Sequence, residues 1–234
     1  MISLIGFTGL ILSFVCNVIV IGLYYFKINQ RFNQIFYLAL YCSLFFICLS
    51  FFALMFAYIS SDFSNFNVFQ NSHSSKPLLY KITGTWGNHE GSMLLWLLIM
   101  SLYNVFFSFN TTLEEPMQKL TIVFQSSLYL CFSLFVILTS NPFLVNSIDI
   151  NEGLGLNPIL QDPALAIHPP ILYTGYVGFS LILSLALAGL ILNKLDNIWI
   201  QVLKRWTMFC WLMLTGGIAL GSYWAYYELG WGGW

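Results

Sequence analysis

The stretch QDPALAIHPPILYTGYVGF, residues 161 to 179, places one histidine directly before two prolines and at the mouth of a long apolar run. A neutral imidazole is a common ligand for metals, and a porphyrin iron takes its axial ligand from a side chain on a rigid mount. Pro169 and Pro170 would supply that mount, because they fix φ, bias His168 toward an extended backbone and stand where a helix can begin. Asp162 lies just upstream. The plainer reading is an interfacial histidine satisfied by backbone or water, and the residues alone leave both open.

Two further stretches could carry chemistry. In YKITGTWGNHEGSMLLWLLIM, residues 80 to 100, Gly84, Gly87 and Gly91 make a turn-rich loop that delivers Trp86, His89 and Glu90 to the lip of the next apolar run. A carboxylate beside an imidazole can orient it or relay a proton. The same residues read equally as a helix start, with Asn88 or Ser92 as cap and Glu90 near the positive end of the dipole. In GSYWAYYELGWGGW, residues 221 to 234, Trp224, Trp231 and Trp234 stand among tyrosines and glycines. Glycines between indoles remove bulk, so this surface suits a large flat apolar ligand such as a porphyrin better than a simple interfacial belt. Glu228, within that cluster, either has a partner or is solvated at an interface. His73, in FQNSHSSKP, reads as a solvated loop residue. There is no HExxH, P-loop or GxSxG pattern.

The elements that must position these residues are membrane helices. Of 234 residues, 59% are hydrophobic and 7% charged, against roughly 25% charged in soluble domains. The mean hydropathy is +0.79. Apolar runs at about 3–26, 36–59, 92–110, 120–140, 170–192 and 205–226 are each long enough to cross a hydrocarbon layer and do not alternate as barrel strands would. The expected fold is therefore an all-α polytopic membrane protein of about six transmembrane helices, a single membrane domain over 1–234. Its long loops are expected at 60–91 and 141–169. The first run lacks a basic leader and an A-x-A-like site, so it is kept as a span rather than a signal peptide. The five cysteines all lie in apolar runs without CxxC spacing and read as small core residues. A net charge of −1 gives no basic surface for nucleic acid.

Six of the eight Lys and Arg residues fall in the short connections, which predicts those on the cytoplasmic or matrix side. The N-terminus and both long loops are then expected on the periplasmic or intermembrane-space side. No span carries an ionisable residue that would suggest a transport pathway.

Taken in order, TGTWGNHEGSMLLW, NPILQDPALAIHPPILYTGYVGFS and GSYWAYYELGWGGW resemble the CcmF-type haem lyases of the System I cytochrome c maturation pathway. Within the last stretch, residues 222–234 are similar to the opening of their tryptophan-rich WWD signature. The resemblance implies haem as cofactor, held at the outer membrane face, with His168 as an axial ligand to its iron and Trp224, Trp231 and Trp234 on the haem-facing surface. Trp86, His89 and Glu90 match a family motif and are expected to shape the outer lip. The implied partners are a CcmE-like haem chaperone, apocytochrome c, a thioredoxin-like or CcmH-type thiol-handling subunit and the lipid bilayer.

The family pattern continues beyond Trp234 into the rest of the WWD signature, a further external histidine and membrane histidines. The expectation is thus the N-terminal part of a split haem lyase, inactive alone, paired with separately encoded C-terminal CcmF-like fragments. Split forms point to the mitochondrial inner membrane, the alternative being a bacterial plasma membrane. A rival function is a non-catalytic accessory or assembly subunit bound to a respiratory-chain complex.

Overall fold

A computed structural model describes residues 1–26, 30–148, 150–155 and 161–231. The chain order is α1 (Ile2–Tyr25), α2 (Gln30–Ser60), α3 (Phe66–Asn71), α4 (Leu78–Gly84), α5 (His89–Ser108), α6 (Glu115–Thr139), α7 (Pro163–Leu192) and α8 (Asn197–Glu228). Six of these helices are long and apolar enough to cross a membrane, so the expected all-α polytopic fold is the observed one. Among the described residues the only extended pairing is an isolated bridge between Asn65 and Val145. The six long helices run alternately up and down. Both long connections, the start of α1 and the end of α8 therefore meet at one end of the bundle, the loop face.

α5 is the central helix, packed against α2, α6 and α7. In its membrane-crossing stretch 72% of residues are buried, against 11% in α8, which is peripheral and packs chiefly on α7. Lipid tails are as apolar as leucine, so hydrophobicity alone does not hold such helices together, and hydrogen bonds and small residues do. Ser13 Oγ lies 2.6 Å from Tyr129 Oη and 3.0 Å from Ser43 Oγ, and Asn17 Nδ2 donates to Ser43 Oγ at 2.6 Å, joining α1, α2 and α6. Asn104 Nδ2 donates to Ser126 Oγ at 3.0 Å between α5 and α6. Gln125 Nε2 donates to Ser180 Oγ at 2.8 Å between α6 and α7.

The α7–α8 contact instead uses glycine. A Cβ on Gly217 would stand 2.6 Å from the backbone nitrogen of Leu172, and one on Gly175 would meet the backbone of Leu214. Close approach of two backbones requires hydrogen at both positions. Gly216, one residue away, has nothing nearer than 4.0 Å.

The loop face is knitted by asparagines. Asn65 caps α3 through the N–H of Val68 at 3.0 Å and donates from Nδ2 to Ser3 Oγ at 3.1 Å and to the Pro142 carbonyl at 2.9 Å. One side chain thereby ties the start of α1 to both long connections.

Gly217→Leu is expected to destabilise the bundle by about 1–3 kcal/mol or more, whereas Gly216→Leu should stay within about 0.5 kcal/mol. Thermal unfolding in mild detergent compares them, and equal stability would refute the backbone contact.

Candidate functional site

α7 begins at Pro163. Asp162 Oδ1 accepts from the Ala164 N–H at 2.8 Å and the Asp162 carbonyl from the Ala166 N–H at 3.0 Å, while proline at the first helical position loses nothing by lacking a donor. The second long connection thus ends at Asp162 rather than 169. His168 lies within the helix instead of on an extended approach, with Pro169 and Pro170 also inside it. The fixed φ of proline is itself helical, and a helix already started upstream overrides the extended bias of the preceding residue.

This placement orients the imidazole. His168 Nδ1 lies 3.1 Å from the Ala164 carbonyl, one turn back. A carbonyl oxygen can only accept, so Nδ1 carries the proton and Nε2 presents its lone pair. The ring lies over Trp224 of α8, centroids 5.9 Å apart and planes 26° apart. A Cβ at Gly221, one turn before Trp224, would stand 3.6 Å from Nε2, so this glycine leaves space beside that nitrogen. His168 lines a cleft of about 370 Å³ with Trp86, His89, Met93, Leu172 and Tyr173.

The other expected residues fall differently. Trp86 is stacked on Phe51 at 6.4 Å and 13°, and its Nε1–H donates to the Ala166 carbonyl at 3.1 Å. It borders the cleft but is bonded to the α7 backbone. Asn88 caps α5, accepting from the Gly91 N–H at 2.8 Å, and Ser92 instead donates to the Trp86 carbonyl at 2.7 Å. His89 Nε2 lies 3.0 Å from Ser140 Oγ, whereas Glu90 Oε2 accepts from Asn67 Nδ2 at 3.0 Å. The two neighbours take different partners, which favours the helix-start reading over the relay. His73 is partly exposed, 2.9 Å from Ser75 Oγ and 3.8 Å from Glu152. Glu228 is exposed at the end of α8. Trp231 lies beyond that end and is 71% exposed. Trp234 lies outside the described residues.

Sequence reasoning missed Gly217, Gly221 and the Ala164 carbonyl. The spacing of the two glycines, four apart, was a usable signal for close helix packing. A backbone carbonyl leaves no mark in the sequence.

Lys76, in the first long connection, is buried and donates to the Asn71 carbonyl at 3.2 Å. Burial, and secondarily Lys81, push its pKa down to about 8 from the usual 10.5. Below about 8 the folded protein carries a buried cation, and between 8 and 10.5 the unfolded chain binds more protons, so loop-face stability should rise with pH across that window. Lys76→Met should flatten the rise. Hydrogen exchange of residues 61–88 below and above pH 8 checks it, and an unchanged slope in the variant would assign the dependence elsewhere.

Fold and site together define a polytopic membrane protein that presents an oriented imidazole beside an indole at one end of its bundle. Residues 86–234 match the family model described as cytochrome C assembly protein, and the chain belongs to that family. It is 54% identical over 197 residues to the cytochrome c-type biogenesis protein CycK of Rhizobium meliloti, covering 84% of this chain and 29% of that protein. It is 45% identical over 190 residues to the cytochrome c-type biogenesis protein CcmF of Escherichia coli, covering 79% and 29% respectively. The solved structure of the cytochrome c haem lyase CcmF superposes on 100% of this chain and 38% of its own, with a TM-score of 0.85 and 26% identity. The match therefore spans under a third of the length of these two curated relatives.

Proposed function

We propose that this chain forms part of a haem-holding surface of a cytochrome c haem lyase, at the outer face of the mitochondrial inner membrane. The observation that carries the reading is the contact of His168 Nδ1 with the Ala164 carbonyl at 3.1 Å, which leaves the Nε2 lone pair uncommitted on a residue that lines a cleft. A ligating histidine held through its other ring nitrogen is the arrangement metal sites use.

The residues fit haem. Among the described residues no group of three or more His, Cys, Asp or Glu could hold a bare metal ion. A single imidazole beside an aromatic wall instead suits iron that arrives inside a porphyrin. The Trp224 Nε1–H is buried with no acceptor among the described residues, a donor available to a polar substituent of such a ligand. Haem supplies the iron and the vinyl groups that become thioethers on the apocytochrome cysteines. This chain's contribution would be positioning: His168 would offer its Nε2 to the iron, and Trp224 backs the imidazole. No acid or base from these residues is required.

In this reading the remaining length of the family is supplied by separately encoded CcmF-like polypeptides, and this chain is inactive without them. A CcmE-like chaperone, a CcmH-type subunit and apocytochrome c complete the set. The weakly buried α8 offers the surface for the partnership.

His168→Ala should abolish haem retention by the assembly purified from its own membranes and stop holocytochrome c accumulation. Added imidazole should restore part of the haem absorbance. Undiminished haem and holocytochrome in the variant would overturn the assignment.

A further inference from the structure

Pro169 and Pro170 lie inside α7. The Ala166 carbonyl would ordinarily receive the N–H four residues on, or the one three residues on in a tighter turn, and those residues are Pro170 and Pro169. Neither has an N–H to give. Ala166 is 7% exposed, so bulk water is a poor substitute. The donor is Trp86 Nε1, at 3.1 Å from the Ala166 oxygen.

That bond crosses from the segment before α5 to the start of α7. It falls between Ala164, whose carbonyl holds His168 Nδ1, and His168 itself. Trp86 is in turn fixed by its stack on Phe51 of α2 and by its own carbonyl, which accepts from Ser92 Oγ at 2.7 Å. The backbone that orients the imidazole is therefore clamped from outside its helix at the carbonyl that the two prolines leave with neither helical donor.

We propose that Trp86 is the positioning residue for His168, acting through the Ala166 carbonyl left without a helical donor by the proline pair. Its indole N–H, not its aromatic bulk, is the working group. The proposal rests on the reading of His168 as a haem ligand for its functional consequence, and on geometry alone for its structural one.

The experiment is a double-mutant cycle. Trp86→Phe keeps an aromatic ring against Phe51 and removes the N–H. Pro170→Ala restores a backbone N–H four residues after Ala166 and makes the indole donor redundant. Four forms of the assembly, wild type, W86F, P170A and W86F/P170A, are purified from their own membranes, and haem per chain and the absorbance spectrum are measured. The same four are stripped of haem and unfolded thermally.

Loss of one hydrogen bond predicts that W86F retains about fivefold less haem than wild type, and that W86F/P170A returns to within about twofold of P170A. W86F should also lower the haem-free melting temperature in the wild-type background and much less in the P170A background. Equal losses from W86F in both backgrounds, in melting temperature as in haem, would overturn the proposal, because packing bulk and not the N–H would then be responsible. If His168→Ala leaves haem bound, the haem-ligand reading fails by itself, while the haem-free cycle still decides whether Trp86 serves the Ala166 carbonyl.

Discussion

Every backbone carbonyl must find a donor inside the protein where lipid or a packed interior replaces water, and the Ala166 carbonyl meets that demand from outside its own helix. Two prolines after it remove both helical donors, and leaving such a group unpaired costs about 1–3 kcal/mol. The indole of Trp86 meets the need and fixes how the start of α7 sits against the segment before α5. Because the Ala164 carbonyl that orients His168 belongs to the same turn, the direction of the imidazole follows from a backbone requirement.

The arrangement depends on the loop face being stiff, and that stiffness is polar. Tyr58 Oη donates to Asn67 Oδ1 at 2.6 Å and accepts from Asn88 Nδ2 at 3.0 Å, while Asn67 Nδ2 also reaches Asn88 Oδ1 at 3.0 Å. Asn88 in addition donates to the Gly84 carbonyl at 2.7 Å. This network joins the end of α2, α3, the end of α4 and the start of α5 around satisfied donors and acceptors. A network so complete specifies one geometry, whereas apolar contact alone would tolerate several. Trp86, two residues before Asn88, inherits its position from it.

The membrane architecture was legible because length and apolarity decide it. Every expected span is present as a helix, and the two long connections share one end because two spans, α5 and α6, separate them. The start of α7 was not legible in the same way. A proline after His168 argues for an extended residue, and only the upstream pair Asp162–Pro163, read as cap and first position, reverses that. His89 and Glu90 show the limit of adjacency: on a helix start they project to different neighbours, Ser140 and Asn67. Trp86 was noticed as an aromatic of the lip, but the task of its N–H depends on a carbonyl eighty residues away in sequence, which no local pattern encodes.

The tryptophans of the last segment divide by helical phase. Gly217, Gly221 and Trp224 stand four and three residues apart and share the α8 stripe that faces α7, so the positions that admit the partner backbone lead directly to the ring beneath His168. Tyr223, Tyr226 and Tyr227 lie off that stripe and are exposed. Trp231 is a further seven residues on and would return to the stripe if the helix continued. It does not: Gly230 turns left-handed at φ +62°, and the Trp231 N–H reaches back to the Ala225 carbonyl at 3.3 Å to close the helix. Glycine at that position thus releases the second tryptophan from the surface that holds the first. One indole backs the imidazole from a rigid helix, and the other stands beyond its cap, free to meet whatever approaches the loop face.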